Sequence, residues 1–345
     1  MAKPLVLQLG GPIRYNLQQY SQFSQTFDIV EVKDLARPQF KQALSNGTFG
    51  QFYAVYRPFW NDGFQMGQWD KELIDLLPSS CKIIAMAGAG FDWIDIDYLS
   101  SKGIVYCNGG WGPTEAVGDN AIWHILSTFR NFCWSFKAAA SCDKQQFLDA
   151  HTNCVLTAFN PMGHTLGIIG MGKIGYRIAE KANKGLAMKI AYYDLFQRPR
   201  EQERAIEATY YKNLEELLAV SDCVVLATPA FADKFMNRQV FSKFKKGARF
   251  VNIARGKLVD TDALVDAINS GHIYAAGLDV FYDEPQVPKQ LAELKTVSLT
   301  CHNAGGSIST WIFFEKSGMD NISSFYRHGK AVSPVNLGLL NKSKL

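Results

Sequence analysis

Three polar residues stand just past short apolar runs in the second half of the chain: Arg255, Glu284 and His302. Histidine can give or take a proton near neutral pH. Arginine forms an always-charged, two-pronged clamp on a carboxylate or a carbonyl oxygen. A glutamate beside the histidine would favour its charged, proton-bearing form. Together they suit hydride transfer to a 2-keto acid. That reaction needs a proton donor at the carbonyl oxygen and a cation for the carboxylate and the developing charge. Each residue alone has a plainer explanation: a solvated charge, a loop acid beside Pro285, a structural histidine. The combination carries the weight, because residues that follow strands on one edge of a sheet face one crevice. His124, His151, His164, His272 and His328 lack such company and read as structural or exposed.

A hydride donor needs a nucleotide site, and the run TLGIIGMGKIG at 165–175 supplies its pattern. The apolar stretch 166–169 suits a buried parallel strand, and 174–184 reads as a helix. Gly170, Gly172 and Gly175 give the spacing G-x-G-x-x-G. The first allows a tight turn, the second lets a pyrophosphate approach, and the third lets helix and strand pack closely. The helix N-terminus then points N–H groups at the phosphates. A second strand at 188–193 leads into Asp194, nineteen residues after Gly175, where a ribose-binding carboxylate belongs. Asp194 favours NAD(H). Arg198 and Arg200 could answer a 2′-phosphate and leave NADP(H) open.

The elements that must hold these residues alternate along the chain. Strands are expected at 5–9, 28–32, 53–57, 82–86 and 104–107, with helices near 15–25, 40–45, 69–77 and 95–101. Such alternation argues for a parallel sheet covered on both faces. The stretch 87–92, AGAGFD, sits past one strand end, and its backbone N–H groups could hold a carboxylate; a plain glycine turn is the alternative. The glycine-rich 108–113 reads as a hinge. Thr114 is then a plausible N-cap for one long helix over 115–140, whose aromatic residues suit either core packing or a subunit interface. Beyond Asp194, helices are expected at 214–220, 261–270 and 307–328, and strands at 223–227, 250–254, 275–278 and 297–300.

Composition narrows the classes. With 345 residues, two domains are the expectation. A net charge of +4 implies no nucleic-acid partner, and no run is long enough to span a membrane. The seven cysteines are scattered, so neither a disulfide framework nor a metal site is indicated. The apolar run at the N-terminus is too short for a signal peptide and reads as a first strand. The last residues are Ser343, Lys344 and Leu345, the tripeptide read by the peroxisomal import receptor. A mobile tail from 330 would expose it. This predicts peroxisomal import, with a cytoplasmic location as the alternative. Phe59, Trp60, Phe91, Trp111 and Trp311 supply aromatic surface near the expected crevice. They predict a substrate with a bulky apolar side chain, unless they only fill core.

Four segments, GIIGMGKIG at 167–175, VNIARG at 251–256, GLDV at 277–280 with Glu284 and Pro285, and TCHNAGG at 300–306, resemble the D-2-hydroxyacid dehydrogenases. The likeness runs from about Ile83 to His328. It implies an α/β fold of two Rossmann- or flavodoxin-like doubly wound parallel-sheet domains. A nucleotide domain (111–304) would be inserted into a discontinuous substrate domain (1–110 and 305–345), usually in a homodimer. It implies that Arg255, Glu284 and His302 are catalytic and that Ala89 and Gly90 hold the substrate carboxylate with Arg255 and His302. Cofactor contacts are implied at Thr114, Gly170, Gly172, Lys173, Ile174, Gly175, Asp194, Thr228, Ile253, Asp279, His302 and Gly305, with Asp279 towards the nicotinamide amide. The segments 78–80, 87–93, 192–194 and 284–287 are similar to the fungal D-mandelate dehydrogenases within the family. That implies 2-keto acids of the phenylglyoxylate or 2-ketoisocaproate type. A glyoxylate or hydroxypyruvate reductase is the alternative within the same chemistry. An NAD-sensing binding protein is the alternative without it, although no basic DNA-binding segment is present. Formate dehydrogenases carry glutamine where Glu284 stands. Asn303, Trp111 and Trp311 depart from the family pattern and bear on substrate size.

Overall fold

Short apolar runs become strands here because helices cover both sheet faces, so both sides of central strands such as Ile83–Met86, Cys223–Leu226 and Ala248–Asn252 are buried. The computed structural model describes residues 2–33, 35–59 and 67–342. The chain forms two compact units, Met1–Pro113 with Gly306–Leu345, and Thr114–Gly305.

In the first unit, β1 (Leu5–Leu9), β2 (Asp28–Val32), β3 (Phe52–Arg57), β4 (Ile83–Met86) and β5 (Val105–Cys107) form a parallel sheet in the order β2-β1-β3-β4-β5. α1 (Leu17–Thr26), α2 (Arg37–Ser45), α3 (Lys71–Asp75) and α4 (Ile96–Ser101) connect them. Asp70 and Asp95 cap α3 and α4, accepting from Leu73 N (3.1 Å) and Tyr98 N (3.0 Å). Val6, Leu7, Val55 and Ile84 are fully buried.

The second unit opens with α5 (Thr114–Arg130), α6 (Phe132–Ala140) and α7 (Lys144–Asn153). The single helix expected over 115–140 breaks at Asn131, which sits in the left-handed region at φ 54. Asparagine tolerates that conformation, and burial holds it there. Its Nδ2 donates to Cys154 O (2.7 Å), and its Oδ1 accepts from Tyr274 Oη (3.0 Å). Thr114 is the first helical residue, not the cap, and its hydroxyl caps nothing. Then come β6 (Thr165–Ile169), α8 (Lys173–Leu186), β7 (Lys189–Tyr193), α9 (Arg200–Ala205), β8 (Ala208–Tyr211), α10 (Leu214–Val220) and β9 (Cys223–Leu226). α11 (Arg238–Phe241), β10 (Ala248–Asn252), α12 (Thr261–Asn269), β11 (Ile273–Leu278), α13 (Lys289–Ala292) and β12 (Val297–Leu299) complete it. All seven strands are parallel, in the order β12-β11-β10-β9-β6-β7-β8. The order reverses between β6 and β9, the switch point at which such sheets bind ligands. Short β8 escaped the sequence reading because an edge strand of four residues carries little periodicity.

The chain then rejoins the first unit through α14 (Ile308–His328), capped by Ser307, and α15 (Leu337–Lys342). The expected mobile tail from 330 is corrected up to residue 342. Val335 N donates to Tyr106 O (2.9 Å), and the buried Asn336 side chain bonds Tyr106 N, Ser100 Oγ and Ile104 O, each at 2.9 Å. Ser343 to Leu345, which carry the peroxisomal reading, lie outside the described residues, as does Trp60. Among the described residues no helix is long and apolar enough to cross a membrane.

Candidate active site

Six strands of the second sheet end on one edge, and each is followed by a residue singled out in the sequence. Gly170 follows β6, Asp194 follows β7, Thr228 follows β9, Arg255 follows β10, Asp279 follows β11, and His302 follows β12. Their proximity is a property of parallel topology, since every carboxyl end points the same way.

The glycine turn is built as its spacing requires. Gly170 sits at φ 93, and a Cβ there would lie 2.7 Å from Thr228 Cγ2 and 2.9 Å from Ala227 O. A Cβ at Gly175 would lie 2.1 Å from Gly170 O, whereas one at Gly172 would meet nothing within 4 Å. The loop is therefore closed towards the sheet and open where Gly172 caps α8, whose first residues are Lys173 and Ile174. Asp194 Oδ2 accepts from Met171 N (2.7 Å), and Arg198 Nε donates to Met171 O (2.6 Å). The hydroxyls of Thr114 and Thr228 and Oδ1 of Asn120 are buried with no hydrogen-bond partner among the described residues. Buried polar atoms left without partners cost stability, so these atoms and the open glycine edge fit a polar ligand such as a dinucleotide. Ile253 is 9 % exposed and joins the apolar cluster beneath, and Gly305 is half-buried.

Arg255, Glu284 and His302 come together. His302 Nδ1 lies 2.6 Å from Glu284 Oε2, and Glu284 Oε1 accepts from Phe281 N (2.9 Å). Burial would raise the Glu284 pKa. The hydrogen bonds from His302 and Phe281 N–H, with the charges of His302 and Arg255, outweigh it and hold the carboxyl below its ordinary range. Arg255 Nη1 donates to Ala254 O (2.7 Å). Gly256 lets the loops meet, because a Cβ there would lie 1.8 Å from Phe281 O. His302 is turned by its own backbone, at φ 49, with its N–H bonded to Asp279 O (2.8 Å).

Ala89 and Gly90 belong to the other unit, beyond β4. Among the described residues neither backbone N–H donates to a protein acceptor. Ala89 O accepts from Asn108 Nδ2 (2.6 Å), and Gly90 O from Trp93 Nε1 (3.3 Å). Of the expected aromatic residues, Phe59 and Trp311 lie together on this unit, 5.2 Å apart, and Arg14 and Tyr15, which sequence reasoning missed, join them. The Arg14 guanidinium lies 5.1 Å from the Trp311 ring and 5.4 Å from that of Phe59, and Tyr15 stands 6.4 Å from Trp311. Glu315, fully buried in α14, pins the loop by accepting from Arg14 N (2.8 Å) and Asn16 N (2.8 Å). No local signal joins residues 301 positions apart. Phe91 packs on Tyr106 in the core, while Trp111 is exposed against Phe313.

The family described as D-isomer specific 2-hydroxyacid dehydrogenase, NAD binding domain, matches residues 122–304. Solved apo and holo structures of D-mandelate dehydrogenase from Rhodotorula graminis are 39% identical to the chain, with TM-scores of 0.93 and 0.94 over 97% of this chain and 98% of theirs. The 4-methyl-2-oxopentanoate reductase A of Aspergillus oryzae is 31% identical over 95% of this chain and 96% of its own length. A glyoxylate reductase of Pyrococcus horikoshii is 39% identical over 69% of this chain and 71% of its own.

Proposed function

The chain belongs to the D-isomer specific 2-hydroxyacid dehydrogenase family, and on that premise we propose that it reduces a 2-keto acid with a bulky apolar or aromatic side chain, using NADH. Its class is that of an oxidoreductase acting on CH–OH donors with a nicotinamide cofactor. The observation that carries the keto-acid reduction is the 2.6 Å His302–Glu284 pair beside Arg255.

A bound reduced nicotinamide supplies the hydride to the keto carbon. Glu284 accepts a hydrogen bond from His302 Nδ1–H, and the doubly protonated ring gives its Nε2 proton to the carbonyl oxygen, completing the hydroxyl and leaving a neutral imidazole. Arg255 neutralises the substrate carboxylate and the charge developing on that oxygen. Support for a bulky side chain comes from Tyr15, Phe59 and Trp311 around Arg14, and from the relatives named for mandelate and 4-methyl-2-oxopentanoate. Asp194 supports NAD(H), because its carboxylate would repel a 2′-phosphate.

Turnover of phenylglyoxylate, 2-ketoisocaproate, glyoxylate and hydroxypyruvate with NADH and NADPH tests the reading. We expect the highest kcat/KM for a bulky substrate with NADH. Glyoxylate as the best substrate would replace it with the glyoxylate reductase reading, and NADPH preference would remove the role given to Asp194.

A second copy of this chain is proposed to cover the apolar surface around α6 and α7. Phe136, Val155, Leu156 and Met162 each expose more than 60 % of their surface, an unusual density for a surface left in water. Sedimentation should give a dimer, and Leu156→Asp should shift it towards monomer. A monomeric unsubstituted protein at micromolar concentration would remove the proposal.

A further inference from the structure

Asp279 sits at the end of a buried hydrogen-bond chain that begins on α5. His124 is fully buried there, with Nδ1 2.8 Å from Ser298 Oγ and Nε2 3.1 Å from Thr300 Oγ1. Thr300 Oγ1 in turn donates to Asp279 Oδ1 (2.6 Å). A hydroxyl has one proton. With that proton committed to the carboxylate, the Thr300 oxygen can only accept. His124 Nε2 must therefore carry the ring hydrogen, and the bare Nδ1, at 2.8 Å, accepts from the Ser298 hydroxyl in preference to Ala276 O at 3.5 Å. Burial pushes the His124 pKa down to about 3, so the ring is neutral at physiological pH. Asn120 Nδ2 also approaches Thr300 Oγ1, at 3.5 Å.

The rest of the Asp279 carboxylate is arranged to match. Oδ1 also accepts from Asn303 N (3.1 Å), and Oδ2 accepts from Ala304 N (3.2 Å). A carboxylate has about four acceptor directions. The three protein donors leave one, on Oδ2, suited to an amide N–H. The chain exists because Gly277 lacks a side chain. A Cβ there would lie 2.6 Å from His124 Cβ and 2.8 Å from its Nδ1, so any larger residue would lift α5 off β11.

We infer that His124 is a positioning residue: its Nε2–H orients the Thr300 hydroxyl, which holds the Asp279 carboxylate ready for the amide N–H of the nicotinamide carboxamide. The inference rests on reading Asp279 as a cofactor contact. His124 itself touches neither substrate nor cofactor in this arrangement, and its effect must pass through Thr300. Buried networks of this kind act as a unit, so removing the first member loosens the last.

The test compares two ligands by calorimetry: NADH, and ADP-ribose, which lacks the nicotinamide. His124→Leu should weaken NADH about tenfold and leave ADP-ribose within about twofold. His124→Gln, whose amide can still donate to Thr300, should recover most of the loss. Equal losses for both ligands would make His124 a part of the fold only and overturn the inference. If His124→Leu keeps NADH affinity while Asp279→Ala loses it, the chain is overturned and the cofactor contact stands. If Asp279→Ala also keeps it, the contact is wrong and the inference falls with it. A measurement on the unsubstituted protein does not depend on variants folding. Nitrogen-15 spectra of His124 should show a neutral ring protonated at Nε2. A ring protonated at Nδ1 would overturn the assignment.

Discussion

Both units place loops beyond the carboxyl ends of parallel strands, yet the two edges are built from different chemistry. The edge of the second unit is electrostatic. It holds an imidazole on a carboxylate, an arginine beside them, and the carboxylates of Asp194 and Asp279 already bonded to backbone N–H groups. The edge of the first unit is aromatic, with Tyr15, Phe59 and Trp311 around the Arg14 guanidinium and two backbone N–H groups at Ala89 and Gly90. The same topology thus supplies proximity twice, and side-chain chemistry decides what proximity is used for. The second edge is equipped to move a proton and to steady charge. The first is equipped to receive an apolar group and a carboxylate. Substitutions in the second unit should therefore act on kcat, and those in the first on substrate choice.

The sharpest break of that contrast is His302→Ala. General acid–base help is worth about two to four orders of magnitude. We expect kcat to fall by that much in steady-state assays. A folded variant that keeps most of its turnover would remove His302 from the chemistry. Next is Gly256→Ala. Its new Cβ would collide with Phe281 O, forcing the loop of Arg255 away from that of Glu284. Overpacking of this kind costs about 1–3 kcal/mol. Both a lower Tm and a kcat reduced more than tenfold are expected. A stability loss without a kcat loss would show that the two loops need not meet for catalysis.

Trp311→Ala tests the other edge. We expect kcat/KM for phenylglyoxylate to drop by about tenfold, in the range one lost apolar contact gives, with glyoxylate little changed. Equal losses for both substrates would place Trp311 in the packing of α14 and not against the substrate.

How much of this was readable beforehand follows a physical pattern. The glycine turn, Asp194 and the strand-end positions of Arg255 and His302 are legible because each depends on local spacing. The sheet order of the first unit was not, because strand pairing is settled by contacts far apart in sequence. Asn131 was misread as mid-helix, since its left-handed backbone is held by Tyr274 and Cys154, which the local pattern does not reveal. The tail was misread for the same reason: Asn336 finds its partners 230 or more residues away. The partners of His124 stand 174 and 176 residues on, so no local pattern distinguishes it from a structural histidine. Gly277 was legible as part of a motif, but the imidazole it makes room for was not.

The smallest expected effect concerns the electrostatic edge alone. Burial by itself would raise the Glu284 pKa, but hydrogen bonds from His302 and Phe281 N–H, with the charges of His302 and Arg255, lower it overall. A carboxyl lowered by folding binds fewer protons in the folded state than in the unfolded chain. Its contribution is therefore fully present above the unfolded value, about 4.3, and is lost as pH falls through the lower folded value. The comparison is unsubstituted protein against Glu284→Gln, which keeps the shape and removes the charge. Urea unfolding should give a difference of about 1 kcal/mol in favour of the charged side chain at pH above about 5. That difference should shrink as pH falls from about 5 to about 3. A Trp311→Phe variant, which changes only a ring, should show no such trend over the same interval. If the Glu284 difference instead grew on acidification, the carboxyl would be raised by its surroundings, and the second edge would not hold the ion pair on which its contrast with the first depends.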